Sequence, residues 1–452
     1  MHIASSKKHT VVLGCGISGL SIAHFLSKKS NDFIVLEKSE KTGGNIQSKV
    51  IDGFVVENGP NTVLLNNDSI KSLIKDCGLW DKMSTPQKTA ESNRYVLYQN
   101  KLQLLPRNPI QFIKTPLLKW HEKLRLFKEP FIKPHQNDVP LANFISRRFG
   151  NAILTQFVEP FITGIYSGNA EKMSAKHTLK MIWEAEQKHG SVIKGLLKQK
   201  KSKTSKAQMF NFPNGLSELV DKMTQLLGDK VHYNTEIKNI VKVDGGYQIT
   251  DSNNNTIECQ RIISTIPAHA LSNIVNNIDL TAHIDLTAQL EAVEYVPVDV
   301  FHFGFEKKEV KNQAQGFGVL SKPSDKKNFL GILFNTRIFP HVSPKDKELF
   351  TVIVGGSRQP ELCAMGTDKV EKIILDEISE LMQCQKPPIF KNHTSYKKGI
   401  PQYGLELDRL ILEIEKFEAN SPNFHILGNY FNGISVSDCV KKAEKFIEDI
   451  QP

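Results

Sequence analysis

A glycine-rich turn near the start of the chain constrains the fold more than any other feature of the sequence. Gly14, Gly16 and Gly19 match the pattern GxGxxG. In this pattern the first glycine allows a tight turn after a strand, the second lets backbone approach a pyrophosphate, and the third permits close helix packing. The free amides at the start of the following helix favour phosphate. The pattern alone is also found as a simple helix-capping turn, so its surroundings decide its meaning.

The residues around the turn provide the context that a nucleotide site requires. Residues 10–13 are apolar and β-branched, residues 20–28 carry apolar side chains at helical spacing, and residues 33–37 form a second apolar segment. We predict a strand, a helix and a second buried strand, which together make a βαβ unit. Glu37 ends the second strand, where its carboxylate can accept from ribose hydroxyls and would repel a phosphate. The sequence therefore predicts a bound dinucleotide.

The size and charge of the chain limit its class. Its 452 residues exceed what one hydrophobic core usually supports, so two or three domains are expected. The net charge of +10 suits an anionic membrane surface or an acidic substrate, whereas no nucleic-acid-binding pattern accompanies the basic residues. No apolar run reaches the length of a membrane-spanning helix, and the short polar N-terminus leaves no room for a signal or transit sequence.

The cysteines argue against a metal site and against a disulfide framework. They are widely separated and form no CxxC pair: Cys15, Cys77, Cys259, Cys363, Cys384 and Cys439. We expect a reducing compartment and no bound metal. We also find no His/Asp pair or paired carboxylates that would indicate acid–base catalysis by the protein, and we assign no catalytic residue.

The middle of the chain has a helical and basic character. Residues 109–131 alternate apolar side chains with lysine and arginine, which predicts long helices in an insertion. This surface could lie on a membrane, or it could be a core helix pair with a solvated face. Residues 198–206 form a lysine-rich run that predicts an exposed loop.

The second half of the chain alternates strand and helix patterns. Short apolar segments from residue 230 onward predict strands, and a block over 296–354 is interrupted by expected turns at Gly316, Gly318 and Gly331. A helix is predicted over 370–382. Together with the first unit, these patterns indicate a mixed α/β fold.

Five further segments resemble the amine-oxidase-like FAD superfamily. They are residues 42–48, 57–61, 212–216, 231–237 and 426–439, and the resemblance of the fourth implies that the backbone at 235–237 receives the adenine. The resemblance implies that the dinucleotide is FAD. It also implies that the glycine pair in the first segment meets the diphosphate, that the second segment turns beside the flavin ring, and that the last begins a helix facing flavin O2. Gln47 stands where the superfamily usually has a basic residue.

A narrower resemblance, to the protoporphyrinogen oxidase family, covers essentially the whole chain. Its most specific segment is EPFITGIYSGN at 159–169, and it is supported by 93–95, 104–109, 316–320 and 354–358. The fold that this implies is α/β, with a Rossmann-like FAD-binding domain, a mixed-sheet substrate domain and a helical membrane-associating insertion. The implied FAD-binding domain comprises 1–85, 210–290 and 421–452. The implied substrate domain comprises 86–106 and 291–420, and the implied membrane-associating insertion is 107–209.

The resemblance also assigns residues to sites. Arg94 would pair with a substrate propionate, Gly164 would lie against the macrocycle, and Leu320 and Leu333 would hold it by apolar contact. Ile353 stands where some family members stack an aromatic residue on a pyrrole. The implied cofactor contacts are Gly14, Gly16, Ile17, Ser18, Gly19, Glu37, Lys38, Gly43, Gly44, Gly59, Pro60, Asn61, Ile237, Gly428, Asn429, Gly433, Ser435 and Val436.

The implied reaction is the oxygen-dependent oxidation of protoporphyrinogen IX to protoporphyrin IX in haem synthesis, by hydride transfer to flavin N5 and reoxidation by O2 to give H2O2. Alternatives are a coproporphyrinogen III, amine or carotenoid oxidase, and a flavin-free binding protein like the GDP-dissociation inhibitors. We expect peripheral contact with a membrane, at the cytoplasmic face of a bacterial inner membrane, and no nucleic-acid partner. A homodimer and hand-off of product to a ferrochelatase are left open.

Overall fold

A computed structural model describes residues 7–199, 208–275, 278 and 284–450. The strands are β1 (Lys7–Leu13), β2 (Phe33–Leu36), β3 (Ser48–Ile51), β4 (Phe54–Glu57), β5 (Val63–Leu65), β6 (Tyr95–Tyr98), β7 (Lys101–Leu104), β8 (Gln208–Phe210), β9 (Val231–His232), β10 (Ile237–Val243), β11 (Gly246–Asp251), β12 (Thr256–Ser264), β13 (Tyr295–Glu306), β14 (Gly318–Leu320), β15 (Gly331–Leu333), β16 (Lys347–Gly355), β17 (Phe390–Pro401) and β18 (Phe424–Ile426).

The α-helices are α1 (Ile17–Ser27), α2 (Asp68–Asp76), α3 (Lys88–Ser92), α4 (Pro109–Lys114), α5 (Trp120–Arg125), α6 (Leu141–Phe149), α7 (Asn151–Ile153), α8 (Glu159–Tyr166), α9 (Ala175–Thr178), α10 (Lys180–His189), α11 (Val192–Gln199), α12 (Ser217–Leu227), α13 (Ala268–Val275), α14 (Ile284–Glu291), α15 (Asn335–Ile338), α16 (Thr367–Met382), α17 (Leu407–Asn420) and α18 (Val436–Asp449). The predicted mixed α/β fold is confirmed.

The first large sheet contains the predicted βαβ unit. Its order is β10-β11-β12-β1-β2-β9, and β18 adds to the end of β12. Val12 at the centre pairs in parallel with Val35 and Ile263. The face of the sheet to which Val12 points packs on α1, α2, α12 and α18. Val11 and Leu13 point to the opposite face, which forms a second core with α6, α13, α14 and α17. Both faces of these strands are buried, as their continuous apolar sequence predicts.

The second large sheet has the order β17-β13-β16-β15-β14-β6-β7 and is antiparallel except where β14 pairs with β6. One of its faces packs on α16, whose buried side chains include Val370 and Ile374. The turns predicted at Gly318 and Gly331 are wrong, because both residues lie in paired strands. A Cβ on Gly318 would collide with the Ile332 carbonyl oxygen, so the glycine serves close strand packing rather than a turn.

The segment between β7 and β8 is helical, as predicted, but its helices are shorter than expected. Residues 109–131 form α4, α5 and a 3-10 helix over Leu126–Phe131. Thr115 is extended because Pro116 follows it, and α4 ends there. None of the helices that the structure describes is long and apolar enough to cross a membrane.

Two predictions are not tested. Most of the lysine-rich run at 198–206 lies outside the described residues, which resume at residue 208. The division into three domains also stays a prediction.

Candidate active site

The glycine turn has the geometry that its sequence predicts. Gly14 has a φ of +92°, and its amide donates to the Leu36 carbonyl at 2.8 Å, which ties the end of β1 to β2. A Cβ on Gly19 would collide with the Gly14 carbonyl oxygen, so helix α1 can approach the turn only with glycine there.

The start of α1 is open to a ligand. A Cβ built on Gly16 would meet nothing within 4 Å, and no side chain caps the helix at this residue. The first turn contains no acidic residue, and Ile17 and Ser18 are partly exposed. First-turn amides have no acceptor within their own helix. This arrangement suits an anionic group such as a diphosphate.

Glu37 lies beside that open helix end. Its carboxylate accepts from the Cys15 amide at 2.7 Å and from the Ser39 amide at 2.9 Å. The burial of Cys15 and the charge of Glu37 raise the pKa of the Cys15 thiol far above its ordinary value, so this cysteine is an inert filler. Lys38, which follows Glu37, is exposed.

The backbone around Glu37 brings a distant segment to the site. The Glu37 amide donates to the His232 carbonyl at 2.8 Å, and its carbonyl accepts from Thr235 at 2.8 Å. Ile237, the predicted adenine contact, begins β10 two residues later. His232 thus has a backbone role at the end of β9.

The glycine pair packs against the first turn. Gly43 donates to the Cys15 carbonyl at 2.7 Å, and a Cβ on Gly44 would lie 3.3 Å from the Gly16 Cα atom. The Gln47 amide group donates to the carbonyls of Thr42 at 3.0 Å and Gly44 at 3.2 Å. Gln47 thus closes its own loop, where a longer basic residue could reach outward.

The turn at 57–61 is held by a buried carboxylate. Glu57 is 3% exposed, and accepts from Ser48 Oγ at 2.6 Å, Asn211 Nδ2 at 3.0 Å and the Leu216 amide at 2.8 Å. Burial raises its pKa to about 7. The same Asn211 amide group donates to the Asn61 carbonyl at 3.0 Å.

The residues of this turn that were predicted to face the flavin are Gly59, Pro60 and Asn61, and all three are partly exposed. A Cβ on Gly59 would collide with the Asn45 carbonyl oxygen, so the turn packs directly on the loop after the glycine pair. The turn at 57–61 and the loop after the glycine pair therefore form one continuous surface.

The C-terminal loop lies against the same region. Tyr403 Oη donates to the Asn429 carbonyl at 2.9 Å and accepts from the Gly433 amide at 3.1 Å. Ser435 caps α18 by accepting from the Asp438 amide at 3.1 Å. This leaves the amides of Val436 and the next residue for a ligand. The α18 end adjoins β5, since the Ser437 hydroxyl donates to the Leu64 carbonyl.

The predicted apolar substrate residues share one face of the second sheet. Leu320 pairs with Gly331, which in turn pairs with Ile353, and directly paired residues point to the same side. Leu333 lies two residues beyond Gly331 and shares that face. A Cβ on Gly164 would lie 2.7 Å from Leu320 Cδ2, so α8 closes directly on this surface.

Arg94 immediately precedes β6, the strand that pairs with β14 and its Leu320. Its guanidinium stacks 4.8 Å from the Phe317 ring centroid and donates to the Glu91 carbonyl at 2.9 Å. Nη2 is 3.7 Å from the Met209 sulfur, a weak acceptor. Among the described residues no carboxylate lies within salt-bridge distance of Arg94. A partly buried guanidinium without an anion can bind a ligand carboxylate bidentately.

Helix α8 connects the substrate surface to the C-terminal loop. The Tyr166 carbonyl accepts from Gln402 Nε2 at 2.9 Å, and the Tyr166 ring lies 5.7 Å from that of Tyr403. Because Tyr403 holds the 429–433 loop, the predicted substrate residues around α8 adjoin the predicted cofactor residues of that loop. The sequence did not single out Tyr403 or Gln402.

A family comparison agrees with this arrangement. The profile of the family described as flavin containing amine oxidoreductase matches residues 17–445. The chain belongs to this family. It is an FAD-dependent oxidoreductase, and the open α1 end with Glu37 beside it fits the diphosphate and ribose of that cofactor.

Relatives within the flavin-containing amine oxidoreductase family are similar over nearly their full length. The chain is 27% identical to protoporphyrinogen oxidase 2 of Arabidopsis thaliana, covering 98% of this chain and 93% of the relative. It is 26% identical to the coproporphyrinogen III oxidase of Bacillus subtilis (strain 168), covering 99% and 98%. A crystal structure from Exiguobacterium sp. 255-15, described provisionally as a protoporphyrinogen oxidase, superposes with a TM-score of 0.83 at 22% identity, covering 98% of this chain and 99% of that chain.

Proposed function

We propose that this flavin-dependent oxidoreductase oxidises protoporphyrinogen IX to protoporphyrin IX. The observation that carries the proposal is the placement of Arg94, which lacks a carboxylate partner among the described residues. It immediately precedes β6, the strand that pairs with β14 beside the apolar face of Leu320, Leu333 and Ile353. Such a site suits a flat apolar ligand that carries a carboxylate on its edge. The names of the Arabidopsis and Bacillus relatives support the same substrate class.

The chemistry would be divided between the cofactor and the chain. Bound FAD supplies the hydride acceptor at N5, and O2 reoxidises it with release of H2O2. The chain binds and orients the macrocycle and excludes water through α8 and the apolar face. The overall change consumes three O2 for each porphyrinogen, releases three H2O2 and needs no acid–base side chain if protons shift by tautomerisation within the ring.

Coproporphyrinogen III is the second candidate substrate, because the Bacillus subtilis relative bears that name. It carries more propionates than protoporphyrinogen, whereas the face around Leu320 is apolar. We therefore propose protoporphyrinogen as the better substrate. The family match gives no support to the flavin-free alternative. An amine oxidase would be expected to have an aromatic cage near the C-terminal loop, and Tyr430 with Phe431 matches one only in part.

The test is a parallel aerobic assay of the flavin-loaded protein with both porphyrinogens, followed by porphyrin fluorescence. The proposal expects kcat/KM to be higher for protoporphyrinogen. A higher value for coproporphyrinogen would transfer the assignment to the second candidate. No gain above autoxidation with either substrate would reject both.

We also propose peripheral membrane contact through an apolar–basic surface. It comprises exposed apolar residues with lysines among them: Ile110, Ile113, Trp120, Leu124, Phe127 and Phe131, with Lys114, Lys119 and Lys128. The side chains of Phe127 and Phe131 are 76% and 85% exposed, whereas a pair of core helices would bury such large apolar side chains. Apolar side chains flanked by lysine suit the headgroup region of an anionic bilayer.

A buried ionic cluster fixes this surface to the helices behind it. Glu129, between the two phenylalanines, is fully buried and forms a 3.0 Å ion pair with Arg148. Arg148 also pairs with Glu186, and Glu129 accepts from Ser191 Oγ at 2.5 Å. Phe127 and Phe131 are thus held outward by a rigid support.

Vesicle flotation tests the membrane proposal. The double variant Phe127→Ser/Phe131→Ser should bind phosphatidylglycerol vesicles roughly a hundredfold more weakly, because each buried phenylalanine contributes about 1.5 kcal/mol or more. Leu226→Ser, which removes an exposed leucine from α12, is the matched control. If both variants bind the vesicles equally well, this surface does not contact the membrane. The cytoplasmic face of a bacterial inner membrane, a homodimer and hand-off to a ferrochelatase stay predictions from the resemblance.

A further inference from the structure

Lys442 is a charged residue on the second turn of α18 that the sequence did not connect with the site. Its ammonium donates to three backbone carbonyls of the preceding loop: those of Gly428, Phe431 at 2.8 Å and Gly433 at 3.2 Å. It also lies 5.5 Å from the Phe431 ring centroid. An ammonium has three donors and no acceptor, so these carbonyls satisfy it completely.

We propose that Lys442 is a positioning residue for the flavin, which shapes the 428–433 loop and supplies a fixed positive charge beside the cofactor. The inference rests on the proposed placement of the flavin O2 edge at the start of α18. It does not depend on which substrate the protein oxidises.

The 428–433 loop is held by hydrogen bonds from two side chains. Lys442 donates to three of its carbonyls, and Tyr403 bridges the Asn429 carbonyl and the Gly433 amide. Gly433 has a φ of +116°, a conformation that glycine adopts readily and other residues rarely do. Together the two side chains make five hydrogen bonds to the backbone of this loop.

The start of α18 carries charges of both signs. The first turn contains Asp438, whose carboxylate accepts from Ser435 Oγ at 2.6 Å. This negative charge opposes the positive helix end that would stabilise a reduced, anionic flavin. Lys442, one turn further along, compensates for it. Without Lys442 the local charge would be negative, and the oxidised flavin would be favoured.

Three variants separate the two effects. Lys442→Met removes the charge and the donors while keeping an unbranched side chain of similar length. Tyr403→Phe releases the other side of the loop without changing charge. Lys441→Met removes the same charge from the neighbouring, exposed position of α18 and is the matched control. FAD is titrated into each apo protein, and the two-electron midpoint potential of each flavin complex is measured against a reference dye.

We expect Lys442→Met to weaken FAD binding about tenfold or more. Its midpoint potential should fall by about 30 mV, the equivalent of a tenfold loss of preference for reduced flavin. Tyr403→Phe should weaken binding with an unchanged potential, and Lys441→Met should match the wild type in both. Wild-type values for Lys442→Met, or an equal fall in potential for Lys441→Met or Tyr403→Phe, would overturn the proposal.

If Lys442→Met binds too little flavin for a potential, Lys442→Gln takes its place, because its amide keeps two donors without the charge. A lowered potential in that variant supports the assignment, and a wild-type potential overturns it. None of these measurements uses a porphyrinogen, so failure here is distinct from failure of the proposed function.

Discussion

Replacing Glu57 by glutamine is expected to change the pH dependence of stability more than stability itself. Glu57 is buried beneath the turn at 57–61, and burial raises its pKa from 4.5 to about 7. Glutamine has the shape of the protonated acid. Its amide group can donate to Ser48 Oγ, while its carbonyl keeps the bonds from Asn211 and Leu216 that the carboxylate now accepts.

The sign and size of the effect follow from proton linkage. Because the folded state holds the Glu57 proton more tightly than the unfolded chain, its contribution to stability is fully present below pH 4.5 and is lost as the pH rises through about 7. At about 1.4 kcal/mol for each pKa unit, the rise in the Glu57 pKa from 4.5 to about 7 corresponds to about 3 kcal/mol. The wild type should lose this free energy of unfolding between pH 4.5 and pH 8, and Glu57→Gln should not.

Urea unfolding of both apo proteins at pH 5 and pH 8 provides the assay. The variant should match the wild type at pH 5 within about 1 kcal/mol and be more stable by about 2 to 3 kcal/mol at pH 8. A variant that is less stable by the same amount at both values would refute the reasoning. It would mean that the three hydrogen bonds outweigh burial and keep Glu57 ionised in the folded protein.

Three other predictions concern the substrate site and the helical segment. Arg94→Ala should raise KM for protoporphyrinogen about tenfold or more and lower kcat less, since a charged hydrogen bond is worth about 1.5–3 kcal/mol; in steady-state assays, a loss confined to kcat would remove the propionate role. Gly164→Ala should push the tip of Leu320 toward the substrate and raise KM severalfold with an unchanged melting temperature, and the opposite pattern would contradict the contact. Arg148→Met should cost about 3–5 kcal/mol in urea unfolding, because the buried Glu129 loses its ion-pair partner and Glu186 keeps only Arg147. A cost under about 1 kcal/mol would show that the cluster is not coupled.

The parts of the fold that the sequence predicted well are encoded locally. Gly14, Gly19 and Glu37 lie within one short segment, and the apolar strands on either side leave little choice of structure. The helix expected over 370–382 is confirmed as α16 for the same reason, since its apolar residues repeat at helical spacing.

The errors arise where a local signal has more than one structural meaning. Gly318 and Gly331 were expected in turns, but they lie in strands where a missing Cβ makes room for a neighbouring strand or side chain. The pattern over 109–131 predicted long helices, yet Pro116 divides it.

The features that the sequence could not reveal depend on contacts between distant residues. Lys442 has the pattern of a solvated helix face, and only the folded loop shows its three carbonyl partners. Tyr403 reaches Asn429 and Gly433 from the loop after β17, and Arg94 meets Phe317 where the paired strands β6 and β14 begin. Among the residues missed, only Glu57 could have been found from the sequence, because an acid at the end of an otherwise apolar strand indicates a buried carboxylate.

The central claim, that this flavin-dependent enzyme oxidises a porphyrinogen, is tested most directly by mixing the flavin-loaded protein with protoporphyrinogen IX without oxygen. The account predicts rapid loss of oxidised-flavin absorbance on mixing. Admission of O2 should then restore the absorbance and produce protoporphyrin fluorescence together with H2O2. Flavin that stays oxidised in the presence of excess porphyrinogen would contradict the account.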